Sequence, residues 1–180
     1  PGGIAVPRGG IELSAFRSRP PRDPRWRERW GIGSESIVFG ASGRLVSEKA
    51  YEVFVRAAGR IVREGADAHF VIAGGGPLRK ELESEIAAAG LEGRFHLVGF
   101  VENVLGFLRE LDVFVLSSRF EGFPIALVEA LAAGLPAIAT PVGGVPEMVG
   151  ADGAFIVSSE SDEALADAMK KMLSPSRRAA

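Results

Sequence analysis

Two kinds of segment alternate along the chain. Short runs are apolar at nearly every position: Ile37-Val38-Phe39-Gly40, His69-Phe70-Val71-Ile72-Ala73, Phe95-His96-Leu97-Val98, Val113-Phe114-Val115-Leu116, Ala137-Ile138-Ala139 and Ala154-Phe155-Ile156-Val157. Runs of this kind, lacking apolar–polar alternation, predict strands covered on both faces, as in parallel sheets. Between them lie segments with helical spacing. Lys49 to Glu64 places Val53, Phe54, Ala57, Ala58, Ile61 and Val62 on one side. Leu78–Ala89 closes on Gly90, Asn103–Glu110 follows, and Pro124–Ala133 closes on Gly134. A short helix around Glu147 and a last one over Asp162–Leu173 complete the pattern. Strand–helix alternation with short connections implies right-handed βαβ crossovers. The expected fold is α/β, a doubly wound parallel sheet of about six strands.

Residues 1–36 read as a joining segment and short helix packed on the domain formed by 37–180. Asp23-Pro24 predicts a helix start, with aspartate at the N-cap and proline in the first turn. Trp26 and Trp30 then share a face. Arg17, Arg19, Arg22, Arg25, Arg27 and Arg29 read as a solvated surface.

Composition narrows the function classes. With 47% hydrophobic residues, 24% charged residues and net charge −2, the chain can bury a substantial core, and its charge gives no pull towards nucleic acid. There is no cysteine, hence no disulfide, thiolate metal site or cysteine nucleophile, and two histidines make a histidine-rich metal site unexpected. No apolar run approaches the roughly 20 residues that span a bilayer. The chain opens on Pro1 with no signal peptide, which reads as a fragment or processed product in a cytoplasmic setting.

In an open parallel sheet, ligands sit beyond the carboxyl ends of the strands. Glycine and charge concentrate there: Ser42-Gly43-Arg44-Leu45 with Lys49, Gly74-Gly75-Gly76, Gly99-Phe100, Ser117 to Gly122, and Thr140 to Gly144. The most pointed segment is Glu121-Gly122-Phe123-Pro124-Ile125-Ala126-Leu127-Val128-Glu129. Glu129 is the one charge in a helix otherwise apolar all round, so it needs a partner from elsewhere in the chain, such as Arg119, or from a ligand. Pro124 at the first helical position and the amides near it offer an anion site at the helix start. Gly122 allows close approach of a ligand to the backbone. Arg44 and Lys49 are cations where they oppose the helix dipole, which favours a binding role for them over a structural one. His69 and His96 read as structural. Gly74–Pro77 reads as a turn that allows close packing, because Arg79 stands where a phosphate-binding fingerprint needs its third glycine. The stripe Leu165, Ala168, Met169 and Met172 reads as core, or as an interface with a further domain.

Gly43-Arg44-Leu45…Lys49, Gly74-Gly75-Gly76-Pro77-Leu78, Val98-Gly99-Phe100, Asp112-Val113-Phe114-Val115, Glu121-Gly122-Phe123-Pro124…Glu129-Ala130, Gly134-Leu135-Pro136 and Gly143-Gly144-Val145-Pro146-Glu147 stand in one order. Together they resemble the GT4 family of retaining glycosyltransferases (group 1). Val6 to Phe16 is similar to the segment joining that family's two halves. The resemblance covers only the C-terminal, donor-binding half. It implies a GT-B fold with an N-terminal acceptor domain absent from this chain, and a chain that alone binds donor weakly and does not catalyse transfer. It implies a UDP-, GDP- or ADP-sugar as donor substrate, no cofactor and no metal, and leaves any membrane contact to the absent half.

By the same resemblance, Arg44 and Lys49 hold the diphosphate with Gly43 beside them, and Glu121 holds the transferred sugar. These three charged residues are the catalytic candidates. Glu129 takes the ribose hydroxyls. The backbone of Gly122, Phe123, Pro124 and Ile125 meets sugar hydroxyls, the Leu127 and Val128 amides face phosphate, and Val98 and Phe100 line the base. Ala50 and Ser117 stand where glycine and proline are common, and neither is expected to touch the charged groups. A nucleotide-binding module without transferase activity is the alternative. A dinucleotide-dependent dehydrogenase is disfavoured, because the first strand leads into Gly43-Arg44-Leu45 and not into a glycine fingerprint.

Overall fold

The six apolar runs form six parallel strands. The computed structural model describes residues 22–149, 155–158 and 160–174. In chain order the elements are α1 (Pro24–Trp30), β1 (Ile37–Ser42), a 3₁₀ turn (Ser47–Lys49), α2 (Tyr51–Arg63), β2 (Ala68–Ala73), α3 (Arg79–Ala88), β3 (Phe95–Gly99), α4 (Val104–Arg109), β4 (Val113–Leu116), α5 (Ile125–Ala132), β5 (Ala137–Ala139), α6 (Val145–Val149), β6 (Phe155–Ile156) and α7 (Asp162–Met172). The strand order is β3-β2-β1-β4-β5-β6, every neighbouring pair parallel. The chain thus winds outward from β1 in one direction, then from β4 in the other. The joining residues Val6–Phe16 and the start of the last strand at Ala154 lie outside the described residues.

Period-two side-chain alternation explains why each strand is apolar throughout. Phe39, Phe70, Phe95, Val113 and Val115 face one core with α2, α3 and α7. Val38, Val71, Phe114 and Leu116 face the other with α1, α4, α5 and α6. The register aligns Phe39 with Phe70 and Phe70 with Phe95. Their rings stack at 5.9 and 5.6 Å, and Phe54 of α2 meets Phe70 and Phe95 edge-on. Leu165, Ala168, Met169 and Met172 of α7 are core. Among the described residues, no helix is long and apolar enough to cross a membrane.

The start of α1 follows the sequence: Asp23 accepts from the Arg25 amide, Pro24 opens the helix, and Gly31 closes it at φ 64°. The arginines do not all follow it. Arg17 and Arg19 lie outside the described residues. Arg27 is only 9% exposed, not solvated. Its Nη2 donates to Asp112 at 3.2 Å, and its Nη1 donates to the carbonyls of Gly33, Ser34 and Ser36. Arg22 donates to the other Asp112 oxygen at 2.7 Å, and the Val38 amide donates to Asp112 at 2.9 Å. Asp112, at the head of β4, therefore pins α1 to the starts of β1 and β4. A cation that can reach a partly buried carboxylate and three carbonyls gains more there than in water.

Trp30 is buried over His96 with the rings stacked at 6.2 Å, and His96 stacks on His69 at 6.0 Å. Burial holds both imidazoles below 6.5, and the Arg94 guanidinium adds to this at His69 and the His69 ring at His96. Both histidines are structural, as the sequence suggests.

Two outcomes follow. Asp112→Ala leaves Arg27 Nη2 and the Val38 amide without their acceptor, and is expected to lower unfolding free energy by about 2–4 kcal/mol in a denaturant titration. The histidines bind protons more readily in the unfolded chain than in the fold. Their contribution to stability is therefore complete above pH 6.5 and is lost as pH falls below that value. A series of melting curves across this range should show the decline, and His96→Phe, which keeps a ring in the stack, should flatten it.

Candidate active site

The strand order reverses between β1 and β4, and a crevice opens there beyond their carboxyl ends. It is a cleft of about 820 Å³, walled by the loops after β1, β2, β3 and β4 and by the starts of α4 and α5. Gly43, Arg44, Lys49, Phe100, Glu121, Gly122, Phe123, Ile125 and Glu129 all line it. Val98, Pro124, Leu127 and Val128 do not. Leu127 is fully buried in the core beneath α5, and Val98 lines a second cleft along the β3 edge.

Glycine lets the floor close. Gly43 (φ 152°) and Gly74 (φ 148°) approach so nearly that a Cβ on Gly74 would stand 1.8 Å from the Gly43 carbonyl oxygen. The Gly43 amide donates to Ala73, the Leu45 amide to Gly75 and the Gly74 amide to Gly99. These bonds fuse the three loops, so Gly74–Gly76 is a close-packing device, as its pattern suggests.

Lys49 ends the 3₁₀ turn. Ala50 then takes the left-handed conformation (φ 48°, ψ 41°) and starts α2 without a side-chain cap. That backbone explains why glycine suits position 50, and a β-carbon there costs roughly 1–2 kcal/mol. The Lys49 ammonium donates to Glu121 Oε1 at 2.7 Å, and the Ser118 hydroxyl donates to the same oxygen at 2.6 Å. The Glu121 side chain is 9% exposed, so it is not a solvated loop residue. Ser117 touches none of the charged groups, and its hydroxyl donates to the Lys49 backbone carbonyl at 2.8 Å. Behind Gly43, a Cβ of which would stand 2.9 Å from it, the buried Tyr51 hydroxyl has no partner. Burial, reinforced by the Glu121 charge, pushes this phenol far above its ordinary range and keeps it protonated.

The helix start differs in detail from the expectation. Pro124 is the N-cap, and α5 begins at Ile125. The Leu127 and Val128 amides donate to the Pro124 carbonyl, and the Ile125 amide donates to Phe123. Among the described residues, the amides of Gly122, Phe123 and Ala126 form no backbone hydrogen bond and are the free donors. Glu129 sits a turn deeper, half-buried on the cleft wall, and its carboxylate makes no hydrogen bond or ion pair among the described residues. Burial alone holds its carboxyl above 4.5. Arg119, the partner considered from sequence, is engaged by Glu52 and Glu160 instead. The Arg44 guanidinium is exposed and makes no hydrogen bond or ion pair among the described residues, though its charge is felt by Glu48 on the same rim. Among the described residues the cleft thus holds the Lys49–Glu121 ion pair, the Arg44 cation with the exposed Glu48 carboxylate in its field, the unpartnered Glu129 carboxylate and three open amides. Such a set suits a ligand with anionic groups at one end and hydroxyls at the other.

Sequence reading places Ser118 only within the rim segment Ser117 to Gly122 and does not single out Tyr51. It treated Gly143 only as part of a loop. Gly143 (φ 53°) sits where a Cβ would be 2.3 Å from the Glu121 carbonyl oxygen, so the β5 loop backs the Glu121 turn. Among the described residues no group of three or more histidine, aspartate and glutamate side chains is arranged to hold a metal ion.

The family model for glycosyl transferases group 1 matches residues 22–180. The chain is 30% identical over 168 residues to the lipopolysaccharide core biosynthesis mannosyltransferase LpsB of Rhizobium meliloti, covering 88% of this chain and 47% of that protein. It is 33% identical over 165 residues to the putative teichuronic acid biosynthesis glycosyltransferase TuaC of Bacillus subtilis, covering 90% of this chain and 39% of that one. The chain therefore spans less than half the length of these relatives. The solved C-terminal domain of the group 1 glycosyl transferase LpcC from Francisella tularensis superposes with a TM-score of 0.81 at 26% identity, covering 94% of this chain and 90% of that one. Anabaena HepE, solved with UDP and glucose, shares the fold at a TM-score of 0.82 and 21% identity, over 94% of this chain and 47% of that one. Matched over its sheet, its cleft and its flanking helices, the chain belongs to the group 1 glycosyltransferases.

Proposed function

We propose that this chain is the donor-binding half of a retaining, two-domain glycosyltransferase of GT-B architecture and GT4 type, which transfers a glycosyl group from a nucleotide-sugar to an acceptor. The observation that carries the reading is Glu129: a half-buried carboxylate on the cleft wall with no partner among the described residues, in the same cleft as the Lys49–Glu121 pair. Ribose hydroxyls would supply the donors that this carboxylate lacks. Arg44 and Lys49, with the open amides of Gly122, Phe123 and Ala126, would neutralise a diphosphate as it leaves. Glu121, held by Lys49 and Ser118, would accept from hydroxyls of the transferred sugar. Phe100, 83% exposed on the rim, would lie against the base.

Bound UDP in HepE and UDP-glucose in the same protein support a nucleotide-sugar as the ligand class. A dehydrogenase is a poorer fit: β2 runs into Ala73-Gly74 and offers no carboxylate for the ribose of a dinucleotide. The acceptor site, the remaining catalytic contacts and a cytoplasmic setting belong to the whole protein in this proposal.

A calorimetric or NMR titration of the chain with UDP, GDP and ADP tests the reading. One of the three should bind, and Glu129→Ala should weaken it about 10- to 100-fold, the loss expected when a charged acceptor of two hydroxyls is removed. Unchanged affinity in that variant sinks the ribose role. The carboxylate accepts well only when ionised, so affinity should fall as pH drops through a midpoint above 4.5, and Glu129→Gln should leave only the dependence that the ligand's own phosphate supplies.

A further inference from the structure

Arg119 stands two residues before Glu121 and contacts none of the groups assigned to the donor. We infer that Arg119 is a positioning residue that fixes the geometry of the Lys49–Glu121 pair by tying the loops after β1, β4 and β6 together around it. The inference rests on the donor-site reading above.

The guanidinium is shared among three segments outside its own loop. Its Nη1 donates to the Ser47 carbonyl at 2.8 Å, its Nη2 donates to Glu52 in the first turn of α2, and its Nε donates to Glu160 after β6 at 2.5 Å. The Arg119 amide donates to the Glu48 carbonyl at 2.8 Å, and the Ser117 hydroxyl takes the Lys49 carbonyl. Residues 117–119 therefore hold three consecutive carbonyls, 47 to 49, of the turn that carries Lys49. That turn has no capping side chain at Val46, and Ala50 follows it in the left-handed region, so its local support is two backbone bonds, from the Lys49 amide to Val46 and from the Ala50 amide to Ser47. The Lys49 side chain then reaches back to Glu121, on the same loop as Arg119, which closes a ring of contacts.

Glu160 is itself left-handed (φ 65°), a conformation unfavourable for glutamate that is kept where it delivers the carboxylate to Arg119. At 36% exposure, these ion pairs are worth little as stabilisers. A planar guanidinium meeting acceptors in three directions is worth more as a spacer, which lysine cannot copy.

The test compares a nucleoside diphosphate with its monophosphate on the chain, taking whichever of the UDP, GDP and ADP pairs binds. The diphosphate-over-monophosphate affinity ratio reports the Lys49 contact. Arg119→Ala should cut that ratio about tenfold while monophosphate affinity stays within about twofold, and Arg119→Lys should recover only part of it. In a Lys49→Met background the same change should alter the ratio by less than about twofold, because the two act as one unit. An unchanged ratio, an equal loss for both ligands, or additive losses in the double variant overturn the inference. If Arg119→Ala does not fold, Glu52→Gln and Glu160→Gln loosen the guanidinium singly, and a ratio untouched by both is equally fatal. If Lys49→Met itself leaves the ratio intact, the diphosphate role of Lys49 fails and takes this inference with it. A defective Lys49→Met beside a normal Arg119→Ala removes only the role of Arg119.

Discussion

The sheet is covered on both faces, and most of the rest follows. Side chains above and below it must be apolar, and the phenylalanine ladder on one face shows how fully that demand is met. Polar chemistry is left only the two ends of the strands. At the amino ends, Asp112 gathers two arginines and an amide, and the result is structural: α1 is fastened. At the carboxyl ends, the same types of group are left partly unmatched, and the result is a cleft with an open cation and an open carboxylate.

This division explains what was legible in the sequence. The strands and helices could be read because two-sided burial erases polar alternation and leaves uniform apolar runs. Glu129 could be read because a lone charge among apolar neighbours is costly wherever the helix sits. Arg27 could not: its charge pattern resembled a solvated surface, and only the fold brings Asp112, 85 residues away, to meet it. The bond from Ser117 to the Lys49 carbonyl could not be read for a related reason. A small hydroxyl carries no sequence signal of which distant carbonyl it will cap. The family resemblance alone gives the amides of Leu127 and Val128 to phosphate, and the residues themselves carry no signal of which carbonyl they will meet. With Pro124 as the cap, its carbonyl claims them first.

The charged residues of the cleft differ in how firmly they are held. Glu121 is gripped by Lys49 and Ser118 and backed by Gly143, so its direction is settled before any ligand arrives. Glu129 and Arg44 are oriented by no hydrogen bond or ion pair among the described residues. One group is preorganised, which lowers the entropy cost of binding. The other two are desolvated or waiting, which raises what a well-matched ligand gains.

The contact between Gly43 and Gly74 carries a consequence for anyone reshaping this protein. Because the floor of the cleft is bare backbone, with no space for even one methyl group at Gly74, it offers no side chain to vary. Variants selected for a different sugar or base would have to draw their changes from the walls, around Phe100, Phe120 and Ile125, where large side chains already stand in solvent. The floor would be a constant shared by every member of such a library, and the diversity of the library would be confined to its rim.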